Sequence, residues 1–167
     1  MGPNGAALKE RKSMANRKAE MMLVLGAILS FVGPALNFVK VTYDQSLGLA
    51  SESQTGYDTG DSSSYLIAGV LAIIALVGVM AAKSGGLRKG MAVLAILGGA
   101  FGLLAGFIDI TGDVDVPAEV ADLVEASTGI GTYVVTLGAI LILIGGFMLF
   151  KSPVSDAPVT PAAPPTV

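Results

Sequence analysis

The chain has 167 residues, of which 53% are hydrophobic and 14% charged, with a mean hydropathy of +0.73. A soluble domain of this size needs more charge to cover its surface, so the surplus apolar residues are expected to face lipid. Without Cys there are no disulfides, thiolate metal sites or thiol catalysis; without His the commonest general base and metal ligand is gone.

The chain opens on a basic segment, residues 1–20, that holds Lys9, Arg11, Lys12, Arg17 and Lys18. It reads as a disordered cytoplasmic N-terminus, its first dozen residues "MGPNGAALKERK" unstructured, with the native start at Met1 or Met14. The first apolar span follows at residues 21–39, with Pro34 expected to kink it near its outer end. A cleaved signal peptide is the rival reading. The stretch exceeds the usual apolar region of about 7–15 residues and offers only "GPA" as a cleavage site, which favours a retained span.

Residues 40–64, with "SESQTGYDTGDSSS", read as a flexible solvated loop. The second span is 65–82 and the third 91–108, joined by the short "KSGGLRKG", which predicts a tight antiparallel hairpin. In the next loop, "DVPAEVADLVEASTG" places Val116, Val120, Leu123 and Val124 on one helical face and Glu119, Asp122 and Glu125 largely opposite. Pro117 suits a first helical position, Asp115 is a near cap, and Gly129 and Gly131 end the pattern. The spacing predicts a short amphipathic helix over 117–126, lying on the outer membrane surface or capping the bundle. The fourth span is 132–150. Residues 151–167, rich in Pro, read as a disordered cytoplasmic tail.

None of the four spans contains Lys, Arg, Asp or Glu, and each approaches the roughly 20 residues that cross a hydrocarbon core of about 30 Å. Nine of the ten basic residues fall on one side of these spans, Lys40 being the exception. Positive residues stay in the cytoplasm, so both termini are expected inside and the acidic loops outside, in a multi-pass protein of the cell membrane. The predicted fold is an all-α membrane protein, an antiparallel four-helix transmembrane bundle over 21–150 with the short amphipathic helix in its last outer loop.

Three stretches, "RKAEMMLVLGAILSFVG", "VMAAKSGGLRKGMAVLAILGGAFGLL" and "LGAILILIGGFMLFK", resemble the short four-span prokaryotic membrane proteins of a domain-of-unknown-function family. The resemblance rests on a basic-x-Ala-Glu start, Gly-rich spans, a Lys-bearing inner hairpin and a closing basic residue. It covers the spans and leaves the outer loops and the tail unexplained. It implies no reaction, substrate or cofactor, and no functional residue carries over.

The strongest local pattern is Gly98, Gly102 and Gly106, with Gly99 beside them. Their spacing of four puts three glycines on one helix face, where another backbone can approach closely. The face packs inside the chain's own bundle or forms an interface with a second copy or partner. Gly138, Gly145 and Gly146 in span four, and Ala68, Ala72 and Ala75 with Gly69 and Gly78 in span two, are the candidate counterparts. Lys40 and Asp109 close spans one and three on the same side and are candidates for an interfacial ion pair, worth under about 1 kcal/mol. Asp109, Asp113 and Asp115 suggest a cation site but lack the spacing of an EF-hand, and an acidic outer loop already follows from orientation.

Several classes are disfavoured. A small multidrug transporter needs a carboxylate within a span, and none is present. A claudin-like protein would show Trp and two Cys in its first outer loop. No Gly-rich phosphate loop or nucleic-acid patch occurs, and no cofactor is implied. The sequence therefore reads as a non-enzymatic membrane protein, structural or accessory, partnered by the lipid bilayer and by further copies of itself or a larger membrane complex. The alternative is an oligomeric small channel or transporter. That class calls for a polar stripe along a span, where Thr132, Thr136 and little else stand.

Overall fold

The computed structural model describes residues 3–44, 48–60, 62–82, 84–112 and 123–152. Four long helices form the body: α1 (Pro3–Val32), α3 (Ser63–Ala81), α4 (Gly85–Thr111) and α5 (Ile130–Lys151). The one-turn helix α2 (Gly56–Thr59) precedes α3. Each long helix is long and apolar enough to cross a bilayer. They run alternately up and down, and each packs against two neighbours in the cyclic order α1, α3, α4, α5.

Size separates inside from outside. Among the described residues, eight of the fifteen buried hydrophobic side chains are alanines, including Ala19, Ala72, Ala92 and Ala139. Ile73, Ile74 and Val77 of α3, Leu97, Phe101 and Leu104 of α4, and Phe147 of α5 are exposed. A water-soluble bundle hides its large apolar groups, because burying one stabilises by about 1.5–3 kcal/mol. Lipid removes that incentive, and close backbone packing through small residues takes over.

The ends of the spans depart from the sequence reading in chain order. Helix α1 begins at Pro3, where a disordered segment was expected. It stops at Val32 instead of running to Val39, followed by a 3-10 turn over Gly33–Ala35 and extended backbone at Leu36. Pro34 has no N–H to give the carbonyl of Ser30, so the helix ends here rather than kinking. The other spans keep their places and lengthen by a few residues, α4 most of all. Ser84 caps the start of α4, its hydroxyl accepting the N–H of Leu87 at 3.3 Å.

The fold is not all-α. Strands β1 (Asn37–Tyr43), β2 (Glu52–Thr55) and β3 (Val124–Thr128) form an antiparallel sheet in the order β2-β1-β3. The loop read as flexible thus supplies two strands. In β1 the run Val39-Lys40-Val41-Thr42-Tyr43 alternates apolar and polar residues, a period-two pattern overshadowed by counting residues 37–39 into the span. Val39, Val41 and Tyr43 pair with Thr128, Ala126 and Val124 on one face, while Lys40 lies between Ser53 and Ser127 on the other.

The amphipathic helix over 117–126 is corrected at its end. Val124 to Thr128 alternate half-buried and exposed as a strand, so Val124 and Ala126 owe their inward position to a period of two. Positions 117–122 of that helix lie outside the described residues, as do Asp113, Asp115 and all but two residues of the tail. The sheet stands where α1 and α4 end and α3 and α5 begin.

Candidate functional site

Three places in the fold combine named sequence features: the glycine seams, the junction of sheet and bundle, and a groove between α1 and α3.

The seams come first because they fix helix spacing. Gly98, Gly102 and Gly106 are all buried inside the chain's own bundle. A β-carbon at Gly98 would lie 3.0 Å from Leu71 Cβ, and one at Gly102 would touch Ala68 at 3.0 Å and Ala139 at 3.1 Å. At Gly106 it would strike Thr136. The face therefore looks toward α3 and α5. Its neighbour Gly99 is tighter still, since a β-carbon there would sit 2.6 Å from the backbone nitrogen of Leu143. Between α1 and α5, Gly26 and Gly138 meet, each allowing the other's carbonyl within 3 Å of where its own β-carbon would be. Gly145 continues that seam against Ala19, while Gly146 faces Ile96 in the α4–α5 seam.

At the junction the sheet is plugged into the bundle by one ring. The β1–β2 register shifts between Asn37 and Val39, and this irregularity frees Phe38 to turn inward, where it is 3% exposed. Phe38 meets Tyr65 of α3 edge-on, 5.8 Å between ring centres, a favourable arrangement of aromatic quadrupoles. Gly56 and Gly131 flank the ring closely enough that a β-carbon at either would collide with it. The Gly129 N–H donates to the Phe38 carbonyl at 2.6 Å. Tyr57 adds a second tie, donating its hydroxyl to the Phe31 carbonyl at 3.0 Å.

Tyr65 is almost fully buried and donates its hydroxyl to the Asp109 carboxylate at 2.5 Å. The two residues singled out as an ion pair stand on different elements: Lys40 is exposed in the middle of β1, and Asp109 is half-buried near the end of α4. Sequence reasoning missed Tyr65 and Phe38. A signal for Tyr65 was available, because Tyr65 and Asp109 close spans two and three at the same level.

One exposed carboxyl is electrostatically distinct. The Thr55 hydroxyl donates to the Asp58 carboxylate at 2.7 Å and the Thr55 N–H at 3.1 Å, while the Asp58 N–H donates back to Thr55 at 3.4 Å. This reciprocal cap starts α2. The Thr55 hydroxyl, then its N–H, hold the Asp58 carboxyl below its ordinary 3.8 by favouring the charged form.

The groove lies between α1 and α3. Here Gly69 rests against the side chains of Phe31 and Ser30 rather than against backbone, so the pair is propped apart. Toward the sheet, Leu23, Ala27, Phe31 and Val32 of α1 and Ile73 and Leu76 of α3 line a cleft of about 370 Å³. It shares Val24 and Leu76 with a second cleft of about 420 Å³, bounded by Met21 and Met80 and ending at Arg17 and Glu20. No protein-family model matches the chain, and no curated protein matches it either.

Proposed function

We propose that this chain is a structural or accessory protein of the cell membrane, crossing it four times with both termini in the cytoplasm. It acts by packing against further copies of itself or against a larger membrane complex. The observation that carries this reading is how the chain spends its small and polar residues. The glycine seams hold helix to helix, Phe38 plugs the sheet into the bundle against Tyr65, Tyr65 is itself held by Asp109 of α4, and Tyr57 ties α2 to α1. The result is a rigid base with a sheet fixed over one end. Large aliphatic side chains cover the outward faces, ready to meet lipid or a neighbouring helix.

Charge supports the orientation. Arg17, Lys18, Arg88, Lys89 and Lys151 stand at the bundle end opposite the sheet, and Lys40 belongs to the sheet. The filled interior argues against the alternative of a pore through one chain, since carbonyls approach glycines along the α1–α5 and α4–α5 seams.

Extraction in a mild detergent, followed by measurement of particle mass, tests the proposal. The expected result is an assembly heavier than one chain, of several copies or with a companion protein. A strictly monomeric particle, unaccompanied at every detergent concentration tried, would overturn it.

A further inference from the structure

We infer that the α1–α3 groove is a seat for one phospholipid, and that its charged end is built for a phosphoethanolamine headgroup. The inference rests on the bilayer placement proposed above.

Length and lining argue for an acyl chain. From Arg17 to Val32 the groove follows α1 for about 22 Å, at 1.5 Å per residue. One leaflet of hydrocarbon is about 15 Å deep, half of a core of roughly 30 Å. A chain entering beside Arg17 can thus lie along its whole length against Leu23, Ala27, Ile73 and Leu76. The groove exists because α1 and α3 lack the backbone-to-glycine contacts that close the α1–α5 and α4–α5 seams.

Charge argues for the headgroup. Arg17 and Glu20 line the same end, one helical turn apart on α1. Among the described residues they form no ion pair with each other, which leaves a guanidinium and a carboxylate side by side at the level where headgroups lie. Arg binds phosphate through paired N–H donors. A carboxylate accepts hydrogen bonds from a primary ammonium, whose N–H groups a trimethylated choline lacks. A purely anionic headgroup would satisfy Arg17 and be repelled by Glu20. The zwitterion with a primary amine is the headgroup that satisfies both.

Native mass spectrometry of the full chain in detergent tests this, with phosphatidylethanolamine, phosphatidylcholine and phosphatidylglycerol of identical acyl chains added in turn. The expected result is a single retained ethanolamine lipid, held about ten-fold more tightly than the choline lipid. Ile73→Trp, which fills the cleft, should abolish retention of every lipid. Glu20→Gln should erase the ethanolamine preference while leaving the weaker choline binding unchanged, a result that mere loss of structure would not give. Arg17→Gln should weaken all three. Equal retention of the three lipids would mean ordinary boundary lipid and would overturn the inference. So would a glycerol-lipid preference that ignores Glu20→Gln, or a companion protein displaced by Ile73→Trp. If the chain fractionates with membranes but shows no ethanolamine preference, the inference alone fails. If it fractionates as a soluble protein, the bilayer placement fails with it.

Discussion

Two glycines in one helix illustrate opposite uses of the same residue. A β-carbon at Gly99 would press on the backbone of α5, which cannot move without shifting the whole helix, whereas one at Gly90 would meet open space. Gly99→Ala should therefore destabilise the bundle by about 1–3 kcal/mol, as overpacking does. Gly90→Ala should stabilise it by up to about 1 kcal/mol, because alanine restricts the unfolded chain and favours helix. Unfolding in mixed micelles reads both. Gly102→Leu, facing Ala68 and Ala139, should lower stability and leave the particle's mass unchanged, since the face is used within one chain. Tyr65→Phe removes the hydroxyl that serves Asp109 and should cost about 1–3 kcal/mol in the same assay. The glycine periodicity was plain in the sequence because spacing alone defines a helix face. Phe38 was hidden, because its inward turn depends on a register shift between two strands, and that is a property of pairing rather than of any one residue.

Among elements, helices and strands differed in how clearly they could be read. Each span is a long unbroken apolar run, so its existence followed from composition, but its ends did not: the helix stops before Pro34 where a kink was expected, and the cap at Ser84 starts α4 six residues before the expected position 91. Strand β3 was harder. In Val124-Glu125-Ala126 the first and third residues suit either the inward side of a strand or the tail of a helical stripe that includes Val120 and Leu123. Only the partner β1 decides between them. The one-turn helix α2 yields a pH prediction. The Asp58 carboxyl is lowered in the folded state, so its capping contribution is present above the ordinary 3.8 and is lost as pH falls through the lowered value. Protection of the Thr55 and Asp58 amides, taken relative to their intrinsic exchange at each pH, should be present at neutral pH and fall on acidification past that point. Asp58→Asn should show the weaker cap at neutral pH already. Protection that ignores acid would remove the carboxylate from the cap.

For the molecule as a whole, the chief prediction is orientation. Ser53 and Ser127 are exposed on strands flanking Lys40, and Ser84 is exposed at the α3–α4 turn, the opposite end of the bundle. With no native Cys to interfere, cysteine at Ser53 or Ser127 should react with an impermeant reagent in intact cells, and cysteine at Ser84 only after lysis. Labelling at Ser84 in intact cells would invert the arrangement.

The pairing of β3 with β1 has a consequence for how the chain is made. The Ser127 hydroxyl reaches the Lys40 carbonyl across 87 positions, and between them lie two complete helices long and apolar enough to cross a membrane. During synthesis β1 emerges early and can pair with β2 at once, but its other edge must wait, because β3 is not translated until α3 and α4 have been. Phe38 waits as well: Gly131, whose missing side chain makes room for its ring, opens the last span. Closure of the sheet around Phe38 therefore requires that α3 and α4 are complete and that the chain has reached the start of α5. Contacts so distant along the chain form slowly and leave the β3-facing edge of the early strand unpaired meanwhile. A nascent chain arrested after α4 should hold β1 accessible to protease, and release of the stalled ribosome, followed by insertion of α5, should protect it in one step.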